Sequence, residues 1–247
     1  MRPILLAFFL LFTQLSAAEV YATFTVQALQ SAKLAFDAGG VVKGIYADIG
    51  QSVKKGELLA ELKNDDLKAS VQIAKVALEN ANTLLKYAKR DYDRALKIQN
   101  LVNEEQFDKY ALAYETAQIR VHEAQANLAY KEAILEKSYL YAPFEGVIFF
   151  KDLEIGDVVN GMMLRTVFEI QSPSARKLLL SFDQRYHGAV KKGDSFSYKI
   201  DGDERVYGGK ILKVYPHANE SDRKLSAEIA AENILVGLFG DGTITTK

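Results

Sequence analysis

At 247 residues, half of them apolar and about a quarter charged, the chain is globular and can hold one or two ordinary domains, or several small ones strung in line. Its 31 basic and 32 acidic side chains nearly cancel, which removes the electrostatic reason to propose nucleic acid as a partner. The absence of cysteine excludes disulfides, thiolate metal sites, a cysteine nucleophile and a lipidated cysteine.

Arg2, an apolar run from Ile4 to Leu15 broken only by Thr13 and Gln14, and then Ser16-Ala17-Ala18 have the order of a secretory signal. A run of about 12 apolar residues rises only ~18 Å as helix, short of the ~30 Å hydrocarbon core. Residues 1–18 are therefore expected to be a cleaved signal peptide, with retention as an N-terminal anchor the alternative. The compartment expected is the periplasm. Residues 19–31 read as an N-terminal strand or linker.

Residues 32–64 form a first β segment. Leu34-Ala35-Phe36-Asp37 leads into Gly40-Val41, Ile49-Gly50 follows ten positions on, and Val53-Lys54-Lys55-Gly56 leads into Glu57 to Leu62. Residues 139–165 repeat the pattern, with Gly146-Val147, Ile155-Gly156 ten positions on, and Val158-Val159-Asn160-Gly161. Glycines at such turns supply positive φ. Neither segment has enough strands to close alone, so the two are expected to pair as pseudo-symmetric halves.

Between them, residues 65–138 read as a helical hairpin. Asp65 to Asn100 contains no Pro or Gly, and Leu67, Val71, Ala74, Leu78, Ala81, Leu85, Ala88, Tyr92 and Ala95 recur in alternating steps of four and three. That spacing keeps one apolar seam facing a partner helix. The second helix, about Glu104 to Ser138, carries the seam Phe107, Tyr110, Tyr114, Ala117, Val121, Ala124 and Leu128, skips a turn at Lys131 and resumes at Leu135. Asn103 followed by Gln106 resembles a capping box. Only Leu101 and Val102 remain for the turn, so the helices must be antiparallel, and 35 residues each give a rod of roughly 50 Å. An ordinary pair of core helices is the competing reading, disfavoured because globular helices average about three turns.

Past Pro173 the pattern is of short strands: Lys177 to Phe182, Phe196 to Ile200, Val206-Tyr207, Lys210 to Tyr215, Leu225 to Ala230 and Gly242 to Thr246. These predict a small antiparallel β-barrel or sandwich over 166–247, with Asp183 to Val190 as one short helix. The expected fold class is thus α+β and elongated: a split β domain, interrupted by a long antiparallel α-helical hairpin and followed by the barrel.

No catalytic constellation is visible. His122, His187 and His217 have no metal-ligand spacing, and His122 is expected on the exposed side of the second helix. Met162-Met163 read as apolar filler of a turn, not as a soft-metal site. Asp65-Asp66 and Glu104-Glu105 are carboxylates favoured at helix N-termini by the dipole. There is no nucleophile elbow or phosphate loop.

The order half-motif, helical hairpin, half-motif, barrel resembles the periplasmic adaptor (membrane-fusion) proteins of tripartite efflux and type I secretion systems. The matching residues are Gly40-Val41-Val42, Val53 to Ala60, Tyr141-Ala142-Pro143-Phe144-Glu145-Gly146-Val147, Gly156-Asp157-Val158, Phe182-Asp183, Val190 to Asp194, Tyr207 to Ile211 and Gly237-Leu238-Phe239. The resemblance implies a lipoyl-like domain split by the hairpin, no enzymatic activity and no cofactor. The lysine modified in true lipoyl and biotinyl domains sits on a turn that the hairpin replaces here, and Lys63 and Lys68 at its base read as solvated helix-start lysines.

It implies as partners an outer-membrane channel, an inner-membrane transporter of RND or ABC type, and further copies of the chain as a trimer or hexamer. In the family the hairpin tip often carries Arg, Leu four residues on and Ser seven further. Arg94 and Ile98 fit the first two. The third falls on Glu105 by count, while Asn103 matches by its capping context, which makes this turn two residues shorter. The tip residues expected to bind the channel are Arg94, Ile98, Leu101, Val102, Asn103 and Glu105. Many members continue beyond the barrel into a membrane-proximal domain, to which only Glu19 to Gln30 is expected to contribute here. A surface coiled-coil adhesin and a lipoyl or biotinyl carrier are the competing functional classes.

Overall fold

The protein is described here by a computed structural model covering residues 18–101, 103–161, 165–219 and 221–246. The expected signal segment, apart from Ala18, and Met162-Met163 lie outside the described residues. In chain order the first strands are β1 (Glu19–Ala28), β2 (Ser31–Leu34), β3 (Gly40–Ile45), β4 (Ser52–Val53) and β5 (Leu58–Leu62). The helices α1 (Asp65–Lys97) and α2 (Glu104–Glu136) follow. Then come β6 (Tyr139–Tyr141), β7 (Gly146–Lys151), β8 (Val158–Val159) and β9 (Phe168–Gln171). The remaining strands are β10 (Ala175–Asp183), β11 (Ser195–Ile200), β12 (Tyr207–Asn219), β13 (Lys224–Glu232) and β14 (Phe239–Thr245). The described residues divide into two units, one within 32–170 and the other formed by 18–31 with 171–246.

The first unit is a sandwich of two four-stranded sheets, β6-β5-β3-β8 and β2-β9-β7-β4. The two glycine segments superimpose in sequence at an offset of 106 residues, and the backbone repeats at the same offset. Gly50 donates its amide to the Ile148 carbonyl at 2.8 Å, and its counterpart Gly156 donates to Val42 at 3.0 Å. Both glycines sit at positive φ, +83° and +96°, where a Cβ would crowd the backbone. Strand β4 pairs with β7 through Val53 and Gly146, while β8 pairs with β3 through Val159 and Gly40. Each half therefore completes the other half's sheet. Leu59, Ile148, Phe168 and Ile170 are wholly inaccessible in the shared core. The expected boundary at 166 is corrected by this packing: β9 closes the sandwich because Phe168 and Ile170 are buried in its core.

The hairpin leaves and re-enters this unit at one point. The Leu62 amide donates to the Ser138 carbonyl at 2.9 Å and the Lys63 amide to Val41 at 2.8 Å. Asn64, at the N-cap of α1 and fully buried, does not cap the helix with its side chain. Its Nδ2 donates instead to Ser138 Oγ at 2.9 Å, and the Ser138 hydroxyl donates to the Leu135 carbonyl at 2.6 Å. Along the rod, every expected seam residue of both helices is buried or half-buried, and His122 is exposed. Lys131 is half-buried, lying on the seam that the sequence reading skips there. The Lys75–Glu132 ion pair at 3.7 Å and the stacked Tyr92 and Tyr114 rings at 5.3 Å fix the antiparallel register. The helices end at Lys97 and Glu136, a few residues short of the expected Asn100 and Ser138.

The second unit is a closed barrel in the order β1-β10-β13-β12-β11-β14. Of the two readings of residues 19–31, strand or linker, residues 19–28 take the first, as a strand of the barrel. Val20, Ala22, Phe24, Val26 and Ala28 alternate inward, and β1 fills the gap between β10 and β14 with seven aligned residues on each side. Without it both neighbours would present unpaired edges. The expected helix over 183–190 is a single 3-10 turn, Gln184–Tyr186, in which Asp183 Oδ1 accepts from the Arg185 amide at 2.9 Å. Arg176 is buried, and among the described residues no carboxylate lies within ion-pair distance of it. It donates to the carbonyls of Ser172, Pro173, Ala175 and Ile234, tying two loops of this unit together.

Two predictions follow from the packing. Gly50→Ala and Gly156→Ala are each expected to destabilise the sandwich by about 1–2 kcal/mol, the cost of a left-handed Cβ. Closely matched shifts in urea midpoint would bear out the pseudo-symmetry, and an effect at one site alone would contradict it. On the rod, Leu85→Asp places a charge in a half-buried seam and should cost about 1–3 kcal/mol. An unchanged helical melting curve would contradict the seam.

Candidate functional site

The end of the hairpin farthest from the sandwich is built by two helix termini and a tight connection. Helix α1 finishes with Arg94 and Lys97, cations that complement the negative end of its dipole. Arg94 is exposed and ion-paired to Asp91, Nη1 to Oδ1 at 3.6 Å. One turn earlier, the hydrogen bond from Lys89 to Asp93 at 2.8 Å raises the ammonium pKa, which favours the charged lysine. Ile98 is the C-cap, with its amide donating to the Ala95 carbonyl at 3.2 Å and about half its surface in solvent. Gln99–Leu101 then form a 3-10 turn, closed by the Leu101 amide on the Ile98 carbonyl at 2.8 Å.

This turn holds Leu101 outward at 86% exposure. Leu96 and Ile98 are exposed beside it, so the apex is apolar within a charged collar. Val102 lies outside the described residues. On the far side Asn103 is the N-cap of α2, its Oδ1 accepting from the Gln106 amide at 2.8 Å. Glu105 is exposed at the positive end of that helix and pairs with Lys109 at 2.8 Å. Below the apex, Tyr92 packs against Phe107 and Tyr114, with centroids at 5.7 and 5.3 Å, which stiffens the last turns.

The structure thus gathers Arg94 and Ile98 on one flank of the tip and Asn103 and Glu105 on the other, with Leu101 at the apex. Asp91, Arg94, Ala95, Ile98, Gln106 and Tyr110 line a shallow groove of about 340 Å³ on one side. The sequence reading missed Asp91, Gln106 and Tyr110 as members of this surface. Gln106 was legible only as a capping residue and Tyr110 only as a seam position. The Gln106 side-chain Nε2 donates to the Tyr110 hydroxyl at 3.4 Å, which links the capped turn to the groove. Chemically the tip offers apolar burial, one guanidinium and carboxylates for a protein surface. Among the described residues no group of three or more His, Asp or Glu is placed to hold a metal ion, and no helix is long and apolar enough to cross a membrane.

A sandwich hybrid split by a helical hairpin defines a class of coupling proteins, and comparison with known proteins gives the family. Residues 30–171 match the CzcB-like, barrel-sandwich hybrid domain. The chain belongs to the membrane-fusion (periplasmic adaptor) protein family. It is 33% identical over 202 residues to the cobalt-zinc-cadmium resistance protein CzcB of Cupriavidus metallidurans, covering 78% of this chain and 38% of that protein. It is 22% identical over 204 residues to the multidrug resistance protein MdtA of Photorhabdus laumondii, covering 77% of this chain and 50% of that one. The chain spans half or less of the length of these relatives. The crystal structure of MacA from Actinobacillus actinomycetemcomitans shares the fold, with a TM-score of 0.80 at 22% identity, over 94% of this chain and 79% of that one.

The cap gives a local test. Asn103→Ala should cost about 1 kcal/mol and fray the first turn of α2. Amide exchange at Gln106 is expected to accelerate while exchange in the sandwich strands stays unchanged. Equal protection at Gln106 in both proteins would show that the cap does not hold the turn.

Proposed function

We propose that this chain is the periplasmic adaptor subunit of a tripartite export system, linking an inner-membrane transporter to an outer-membrane channel. The observation that carries the reading is a two-helix rod that leaves a split sandwich at one hydrogen-bonded root and ends in an exposed apolar apex. A rod of about 33 residues per helix reaches ~50 Å from its base. Its tip is the channel-docking surface, through Arg94, Ile98, Leu101, Val102, Asn103 and Glu105, with Gln106 and Tyr110 added from the groove. Leu101 supplies an apolar anchor, and Arg94 supplies a planar donor for carboxylate or carbonyl groups on the partner.

The β units are assigned to the transporter contact. The protein works as a ring of copies, trimeric or hexameric, at the periplasmic face of the inner membrane. The relatives carry the names of a cobalt-zinc-cadmium resistance protein and a multidrug resistance protein. Those names support export of toxic small solutes, with the transporter choosing the cargo.

The test is capture from native envelopes with a photo-reactive residue at position 98. Recovery of an outer-membrane channel is expected, together with an inner-membrane transporter whose identity names the cargo class. Arg94→Ala, and more strongly Leu101→Asp, should lower the captured channel about tenfold or more, the equivalent of at least ~1.4 kcal/mol of docking energy. A folded chain that captures no channel would refute the docking assignment.

A further inference from the structure

The outward side of β1 is the floor of a groove on the barrel. The residues it presents there are small hydroxyls, Thr23 and Thr25, both half-buried. On one side Thr23 pairs with Ser181 and Thr25 with Leu179; on the other Thr23 pairs with Asp241 and Thr25 with Phe239. Side chains alternate along a strand, so these six stand on one face. Tyr21 lies two positions before Thr23 on that face, and the Asp201 amide donates to the Phe239 carbonyl at 3.0 Å. Tyr21, Leu179, Ser181, Asp201, Phe239 and Asp241 wall the groove, which has a volume of about 410 Å³. Small-molecule sites run from ~300 to ~1,000 Å³.

The floor is held from inside the barrel. Phe24 meets the Tyr198 ring edge-on at 5.1 Å and the Phe196 ring at 6.1 Å. Gly240 makes room for it, since a Cβ there would stand 2.6 Å from Phe24 Cζ and 2.1 Å from the Lys199 carbonyl oxygen. The walls carry two kinds of group. Tyr21 and Phe239 are 63% and 60% exposed, a large aromatic surface left in water. Asp201 and Asp241 are exposed, and among the described residues neither carboxylate has an ion-pair or hydrogen-bond partner. Elsewhere on this unit Asp183, Asp203 and Glu228 each hold a cation. Lys199, the cross-strand neighbour of Asp241, turns its ammonium to Glu204 at 3.9 Å, and among the described residues no cation lines the groove.

A small inorganic ion gains little from aromatic walls, and a neutral apolar ligand gains nothing from carboxylates. A cation with an apolar or aromatic body uses both, its charge lying over ring faces and beside the carboxylates while its body covers the walls. We infer that this groove binds organic cations of that kind, quaternary or protonated-amine, one to each chain. All its residues belong to the second unit, so the inference does not rest on the adaptor reading. On that reading the bound cation is cargo.

The probe is tetraphenylphosphonium, with tetraphenylborate as its counterpart of nearly the same shape and opposite charge. Titration calorimetry of the purified full chain at low salt is expected to show one site for the cation, with the borate bound about tenfold more weakly or not at all. Asp201→Asn with Asp241→Asn should weaken the cation about tenfold, and Phe239→Leu, which keeps apolar bulk and removes the ring, about threefold. Glu232→Gln removes an exposed carboxylate outside the groove and should leave the affinity unchanged. These side chains are all exposed, and circular dichroism checks that each variant keeps its fold. Equal affinity for the borate, unchanged affinity in the double Asp variant, an equal loss in Glu232→Gln, or no binding of the cation at millimolar concentration overturns the inference. Channel capture through position 98 reads the adaptor proposal separately. Capture without calorimetric binding removes the groove site and leaves the adaptor reading, and binding without capture does the reverse.

Discussion

Everything in the first unit depends on the exchange of short strands between its halves. Strand β4 completes the sheet of β7, and β8 completes that of β3, so neither half has a closed hydrogen-bond network or a core of its own. Isolated strands of two residues have no stability apart from such pairing. The interior is correspondingly shared: Leu59 from one half and Ile148 from the other are both wholly inaccessible. An insertion between the halves is tolerated only if its ends return to one place, and an antiparallel helix pair is the simplest segment that does so at any length. The hairpin can therefore be long without straining the body.

The root shows how the two systems are joined. Strand β5 passes into α1, and α2 returns into β6, next to each other. The link between Asn64 and Ser138 lies where sheet bonding stops and helix bonding begins. Asn64 Oδ1 has no partner in the structure among the described residues, a polar atom buried at the base of the lever. Burial of this kind costs stability, and the pair holds the two helix ends at one fixed separation.

Away from the root the rod has no thick core. Its stability comes from a narrow seam of Ala, Val, Leu and Tyr, supported by the Tyr92 cluster near the tip. A two-helix rod leaves most of each helix surface in water, so what those surfaces carry is informative. The flanks are charged, whereas the apex holds exposed apolar side chains, Leu96, Ile98 and Leu101. Surface of that kind marks interaction sites, and the proposed adaptor role assigns the apex to a channel.

The sequence alone determined the parts governed by local periodicity. The seam in steps of three and four, the Asn103 cap, the paired Gly50 and Gly156 turns and the need for two halves to pair all follow from spacing and side-chain chemistry within a few residues. The proposed tip residues rest on family resemblance, whereas Gln106 and Tyr110 come beside Arg94 and Ile98 only in the folded hairpin, because a groove between helices has no signature along either one. Tertiary structure decided where strands with no local preference for a sheet were placed. The alternation Val20, Ala22, Phe24, Val26 marks β1 as a strand, but only its fit between β10 and β14 makes it a barrel stave. In the same way Thr166 to Ile170 reads as the strand that leaves the second glycine segment, but only its pairing between β2 and β7 and the burial of Phe168 and Ile170 in the shared core place β9 inside the sandwich and not past its edge. Periodicity fixes which face of an element is apolar; the element that covers that face can lie anywhere in the chain, and only the fold selects it.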